Sequence, residues 1–150
     1  MSNFRMKAAV AGGVVAAAAL VTTTVGTPPA HAFEATVGMN CFGENPNILL
    51  FPFFGGAGIQ VNRARHEISI YSNSKDAIPY TTDTTVRVTD LRSHRTQTFH
   101  RRWLHDFSDP GGYSIEGIKA HGPTTVTISS INRGLFRTVQ GPTCRGTINV

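Results

Sequence analysis

Turn signals punctuate this chain too closely for helices of ordinary length. From residue 33 onward they recur about every 8–14 residues. They include Gly55-Gly56-Ala57-Gly58, Ser72-Asn73-Ser74-Lys75-Asp76, Asp109-Pro110-Gly111-Gly112, His121-Gly122-Pro123, Asn132-Arg133-Gly134 and Gly141-Pro142. Glycine takes the positive φ that tight turns need. Proline presets φ and cannot donate inside a ladder, and Asn and Asp bond their own backbone. The segments left between these signals have strand length. No convincing amphipathic helical pattern follows residue 32, and 103–107 could make one turn at most.

The strands are read from alternation. Val86 and Val88, Ile68 and Ile70, and Val126 and Ile128 each alternate with polar neighbours, the period of a strand with one buried face. Further strands are expected over 35–42, 48–54, 59–61, 135–139 and 147–150. Another should run from Tyr113 through Ile115 to Ile118, interrupted at Gly117. Pro52 interrupts the apolar run ILLFPFF over 48–54, which implies an edge, bulge or bend there. In so small a domain that run is expected in the core, the alternative being an exposed apolar patch for lipid or a partner.

The best local signal is a hairpin over 85–103. A loop of even length centred on Ser93-His94 sets Val88 opposite Phe99, whereas an odd loop would turn one strand inside out. Phe99, Arg101 and Trp103 then share one face, and Thr98, His100 and Arg102 the other. An arginine on the Phe99 face requires either a bulge or a position at the sheet margin.

Together these features predict an all-β chain, specifically one antiparallel β-sandwich of immunoglobulin-like layout spanning 33–150. Its two cysteines, Cys41 and Cys144, lie at its two ends and not in the antibody arrangement. An even count in an exported chain predicts a single disulfide tying the first strand to the last.

Residues 1–32 have the makeup of a secretory signal. Arg5 and Lys7 precede an uncharged Ala/Val-rich stretch, and Ala30-His31-Ala32 is an A-x-A-like cleavage site. The apolar run is shorter than the ~20 residues a spanning helix needs. The mature chain is therefore expected to begin at Phe33, to be secreted, and to carry no transmembrane segment. Removing Arg5 and Lys7 from the 14 basic residues leaves 12 against nine acids, a net charge of +3. Such mild basicity favours solubility and weak attraction to polyanions, and does not by itself point to nucleic acid.

Candidate chemistry is concentrated in 92–106. Arg95, His100, Arg101, Arg102 and His105, with Arg92 nearby, form a candidate anion-binding group, since guanidinium forks match sulfate, phosphate and carboxylate. Asp90, Asp106 and Asp109 sit close enough in sequence to offset some of that charge. His94 is expected in the turn, His100 on a strand face and His105 in a following loop. That spacing lacks a metal signature such as H-E-x-x-H, and neither a metal nor another cofactor is expected. No G-x-S-x-G elbow is present, and no catalytic residue is assigned. The function expected is a non-enzymatic binding module acting outside the cell or at the envelope, on an unidentified ligand for which a polyanion is one candidate. The alternatives are a small hydrolase with a site near His100, His105 and Asp106, and a structural envelope protein.

Overall fold

A computed structural model describes residues 35–47, 52–108 and 111–150. The expected signal segment, the first part of the ILLFPFF run (48–51) and Asp109-Pro110 lie outside the described residues.

The chain is all-β. Its strands are β1 (Ala35–Met39), β2 (Phe42–Gly43), β3 (Phe53–Phe54), β4 (Ala57–Asn62), β5 (Glu67–Asn73), β6 (Tyr80–Asp90), β7 (Thr96–His105), β8 (Gly112–Lys119), β9 (Pro123–Arg133), β10 (Thr138–Gln140) and β11 (Cys144–Asn149). The helical content among the described residues is one 3-10 turn, Arg63–Arg65, capped by the Asn62 side chain and closed by His66 at φ 51°.

Two antiparallel sheets carry most of the structure. One has the order β1-β4-β5-β8. The other has the order β10-β9-β6-β7, with β11 also paired to β9. The short pair β2-β3 stands beside them. Alternation is explicit along β6, where Tyr80, Thr82, Thr84, Val86 and Val88 are all buried. Ile59, Ile68 and Ile70 of the first sheet and Val86, Val126 and Ile128 of the second belong to a single hydrophobic cluster. Full burial of each such side chain contributes roughly 1.5–3 kcal/mol. Gly117 takes φ +67°, and the β5-β8 register shifts between Ile68 and Ile70, so the expected interruption in this strand is a bulge.

The hairpin forms with the expected parity but a different register. Val86, not Val88, faces Phe99, and Val88 faces Gln97. The loop is centred one residue earlier than Ser93-His94. The Asp90 carboxylate is the reason: Oδ1 accepts the N–H groups of Arg92 (2.8 Å) and Ser93 (3.0 Å), while the Asp90 N–H bonds the Arg95 carbonyl. Such a side-chain-closed turn fixes where the loop begins. A slip of two residues preserves both faces, so Phe99 and Trp103 still point inward. β7 ends the sheet order, and Arg101 reaches solvent from its inward side. The marginal position, not a bulge, accounts for that arginine.

Three other expectations are corrected. His105 is not in a loop: it is the last residue of β7 and has no exposed surface. The strand placed over 135–139 is only Thr138–Gln140, because Gly134 donates to the Arg137 carbonyl and Leu135 donates to Asn47 Oδ1, which turns the chain. The last strand begins at Cys144, three residues before the expected start.

Cys41 and Cys144 form the disulfide, with Cα atoms 5.9 Å apart and a sequence separation of 103. Cys41 follows β1 and Cys144 opens β11, so the bridge joins strands of the two main sheets.

Candidate functional site: the outward face of the five-stranded sheet

The five residues expected to form one anion-binding group are divided among four places. Arg95 lies in the hairpin loop, lining a cleft with Arg92, Lys119 and His121. Arg101 sits at the β7 margin, its Nη1 donating to the His100 carbonyl (2.9 Å). His100 and Arg102 share the outward face of the sheet.

His105 is inside. Its ring stacks on Tyr80 at 4.0 Å and 13°, lies 3.9 Å from Trp103 and meets Phe53 edge-on at 5.6 Å. Thr82 Oγ1 donates to Asn132 Oδ1 (2.8 Å) and lies 2.8 Å from His105 Nε2. The single hydroxyl proton is used on Asn132, so Nε2 carries the proton in the other contact. Nδ1 then holds a bare lone pair, with no partner among the described residues. Burial pushes this imidazole down to about 3. A neutral, enclosed ring cannot bind a solvent-borne anion.

His100, His105 and Asp106 also do not converge. His100 is exposed and pairs with Thr85 Oγ1 (3.1 Å), whereas His105 points to the opposite face. Asp106 accepts the N–H and hydroxyl of Ser108, each at 3.0 Å. Those bonds, the backbone one foremost, hold its carboxyl below the usual range.

The pairing of β6 with both β7 and β9 builds a surface that no contiguous stretch contains. Opposite the buried valines, β6 turns Thr81, Asp83, Thr85, Arg87 and Thr89 outward. The registers then define rows across the sheet. Thr96, Thr89, Thr125 and Thr147 form one row, with hydroxyl contacts of 2.9 Å (Thr89–Thr96) and 3.3 Å (Thr125–Thr147). Thr98, Arg87, Thr127 and Arg145 form the next, followed by His100, Thr85 and Ser129. Arg102, Asp83, Ile131 and Gln140 come after, then Leu104, Thr81, Arg133 and Thr138. Neighbouring strands are about 4.8 Å apart, so Arg87 and Arg145, two strands apart, project roughly 10 Å from each other.

Charge on this face is one-sided. Arg87, Arg102, Arg133 and Arg145 stand against one carboxylate, Asp83. Asp83 takes Arg133 Nε at 2.8 Å and Arg102 Nε at 3.7 Å. Exposed pairs of this kind contribute little stability, about 0–1 kcal/mol, but they orient the guanidinium groups. Arg87 and Arg145 are exposed and have no carboxylate partner among the described residues. The outward positions of the four-stranded sheet are different. There Glu67 and Glu116 face a single cation, Lys119, among neutral residues such as Gln60, Ser69 and Ser114.

Arg87, Arg133 and Arg145 were not singled out in the sequence because they lie on three strands far apart in the chain. The one local signal was Arg87 between Val86 and Val88, which fixes its outward direction. Among the described residues, no three His, Cys, Asp or Glu side chains are grouped to hold a metal ion, and no helix is long and apolar enough to cross a membrane. No family model matches the chain, and neither does any curated protein or solved structure.

Proposed function

We propose that this chain is a secreted, immunoglobulin-like β-sandwich that binds an extended polyanion, such as an acidic polysaccharide, outside the cell or at its envelope. The observation that carries the reading is the segregation of charge. One sheet turns four arginines and one carboxylate outward, while the other turns out two glutamates and one lysine. Threonine and serine hydroxyls fill the space between the arginines and suit hydrogen bonding to sugar hydroxyls and sulfate oxygens. The sandwich reading rests on two antiparallel sheets contributing to one hydrophobic cluster. The export reading rests on the composition of residues 1–32 and agrees with a disulfide, a bond that persists in oxidising compartments. Binding, not catalysis, suits a pleated face whose one histidine, His100, is paired to a threonine.

Retention on immobilised heparin tests the reading. Arg87→Gln/Arg145→Gln should elute at lower salt, with affinity reduced about twofold to tenfold, the range expected for losing two exposed charge contacts. A control with the same loss of charge elsewhere, Arg63→Gln/Lys75→Gln, should elute close to the parent. Equal effects of both variants would reduce the interaction to net charge and reject the face.

A further inference from the structure

A second, separate feature lies between the β6–β7 hairpin loop and the β8–β9 turn. There a cleft of 530 Å³ is lined by Arg92, Ser93, Arg95, Thr96, Gln97 and His121, together with Asp90 and Lys119. Every one of these side chains is polar or charged, so the cleft is not built for an apolar ligand.

The charges in it are not all available. Lys119 Nζ is 2.7 Å from Glu67 Oε1, which balances it. Asp90 is engaged by its own loop through Oδ1 and the Arg92 and Ser93 N–H groups. Arg92 and Arg95 have no carboxylate partner among the described residues. They are three residues apart on one constrained loop. Ser93, His121 and Asp90 do not form a nucleophilic triad: Asp90 Oδ1 accepts backbone N–H groups, and the His121 ring packs on His66 at 4.7 Å.

The cleft is also held open by construction. Gln97 Nε2 donates to the Lys119 carbonyl (2.9 Å), tying the start of β7 to the end of β8. The Arg92 guanidinium lies against Gly122. A β-carbon there would stand 2.8 Å from Arg92 Nε and 2.9 Å from Cζ. Gly122 also holds φ +71° and exchanges two backbone hydrogen bonds with Val150, so the turn under Arg92 is fixed. Pre-placed donors lose less entropy on binding than free ones.

We propose that this cleft binds a small polyhydroxylated acid, a sugar carrying one phosphate, sulfate or carboxylate group. Arg92 and Arg95 take the oxyanion, as guanidinium forks do. The Ser93 hydroxyl and Gln97 Oε1, the end of that amide not bonded to Lys119, face the neutral hydroxyls. The volume falls within the ~300–1,000 Å³ of small-molecule sites and exceeds what a bare inorganic anion fills. None of Arg87, Arg102, Arg133 and Arg145 lines the cleft, and Thr96 is the one residue it shares with the rows of the sheet face.

The test is a titration of the purified, isotope-labelled protein with glucose 6-phosphate, glucose 6-sulfate, glucuronate and glucose, followed by backbone amide shifts. Saturable shifts at 92–97 and 119–122 are expected with at least one of the acids and not with glucose. The strongest of the three identifies the oxyanion. Arg92→Lys/Arg95→Lys keeps the charge but removes both forks, and should weaken binding by at least about tenfold. The single variant Arg95→Gln should weaken it as well, and each variant's own amide spectrum reports its fold. Arg87→Gln/Arg145→Gln should leave sugar-acid binding unchanged, which separates this result from the heparin one. The proposal is overturned by any one of three outcomes. These are no saturable shift at those residues with any acid, equal binding of glucose, or undiminished binding by the two-lysine variant.

Discussion

Loss of the Cys41–Cys144 bridge, in a Cys41→Ser/Cys144→Ser variant, is expected to lower unfolding free energy by about 4–5 kcal/mol. That is the chain-entropy value for a closed loop of roughly 100 residues. It is a large share of the 5–15 kcal/mol that ordinary domains possess. The melting temperature should fall by roughly 15–25 °C. The effect is expected at the upper end because of where the bridge lies. It spans 103 residues and connects the β1–β2 segment to the first residue of β11, so the unfolded chain loses the freedom of nearly all the described fold at once. Cys144 itself has no exposed surface, and the serine that replaces it would also bury a hydroxyl. Chemical denaturation of parent and variant measures the difference directly. A loss below about 1 kcal/mol would mean that the unfolded chain without the bridge already keeps its ends close.

The second large effect is a loss of stability in mild acid that comes from one buried ring. In the unfolded chain His105 has the ordinary histidine pKa near 6.5, and in the fold burial takes it down to about 3. Above pH 6.5 the ring is neutral in both states and contributes no pH dependence. As pH falls below 6.5 the unfolded chain takes up a proton that the folded chain refuses, and unfolding is favoured by up to ~1.4 kcal/mol per pH unit. Between pH 7.5 and 4.5 the loss should come to about 2–3 kcal/mol, and it continues until the folded ring protonates near pH 3. The structural cause is specific. Protonation would place an N–H on Nδ1, which has no acceptor among the described residues, and a charge between Tyr80, Trp103 and Phe53. Asp90 and Asp106 have lowered carboxyl pKa values, so their contribution is lost only below the ordinary carboxylate range, in more acidic solution. His105→Phe keeps an aromatic ring in the stack and should flatten the stability profile between pH 7.5 and 4.5. An unchanged slope in that variant would assign the acid sensitivity elsewhere.

The bridge and the buried ring also show what could be read in advance. The disulfide followed from an even cysteine count in a chain with an export-like leader, a composition argument needing no geometry. His105 was missed by stopping short. The parity that sets Phe99 and Trp103 inward, extended by two residues, reaches His105, but the expected hairpin ends at Trp103. Inward direction on a strand is decided by period, not by the polarity of the neighbours. The hairpin's parity was legible for the same reason. Its exact register was not, because Asp90 closes the loop with its side chain and shifts the centre by one residue. The binding face was the least legible feature. Each of its rows draws on strands separated by tens of residues, and only the β6-β9 and β9-β11 registers bring Arg87 and Arg145 onto either side of Thr127. The cleft similarly needs the end of β8 beside the hairpin loop, a placement made between edge strands of two different sheets and not by local pattern.

The sheet face is tested most directly by mapping a heparin-derived hexasaccharide onto the isotope-labelled protein by amide shift changes at low and moderate salt. The expected perturbations fall on outward residues of the five-stranded sheet, with Thr85, Arg87, His100, Arg102, Thr127 and Arg145 strongest. They should shrink as ionic strength rises through the range where the screening length drops below about 10 Å. Perturbations confined to the outward residues of the β1-β4-β5-β8 sheet, or no perturbation at tenfold excess of the oligosaccharide, would contradict it.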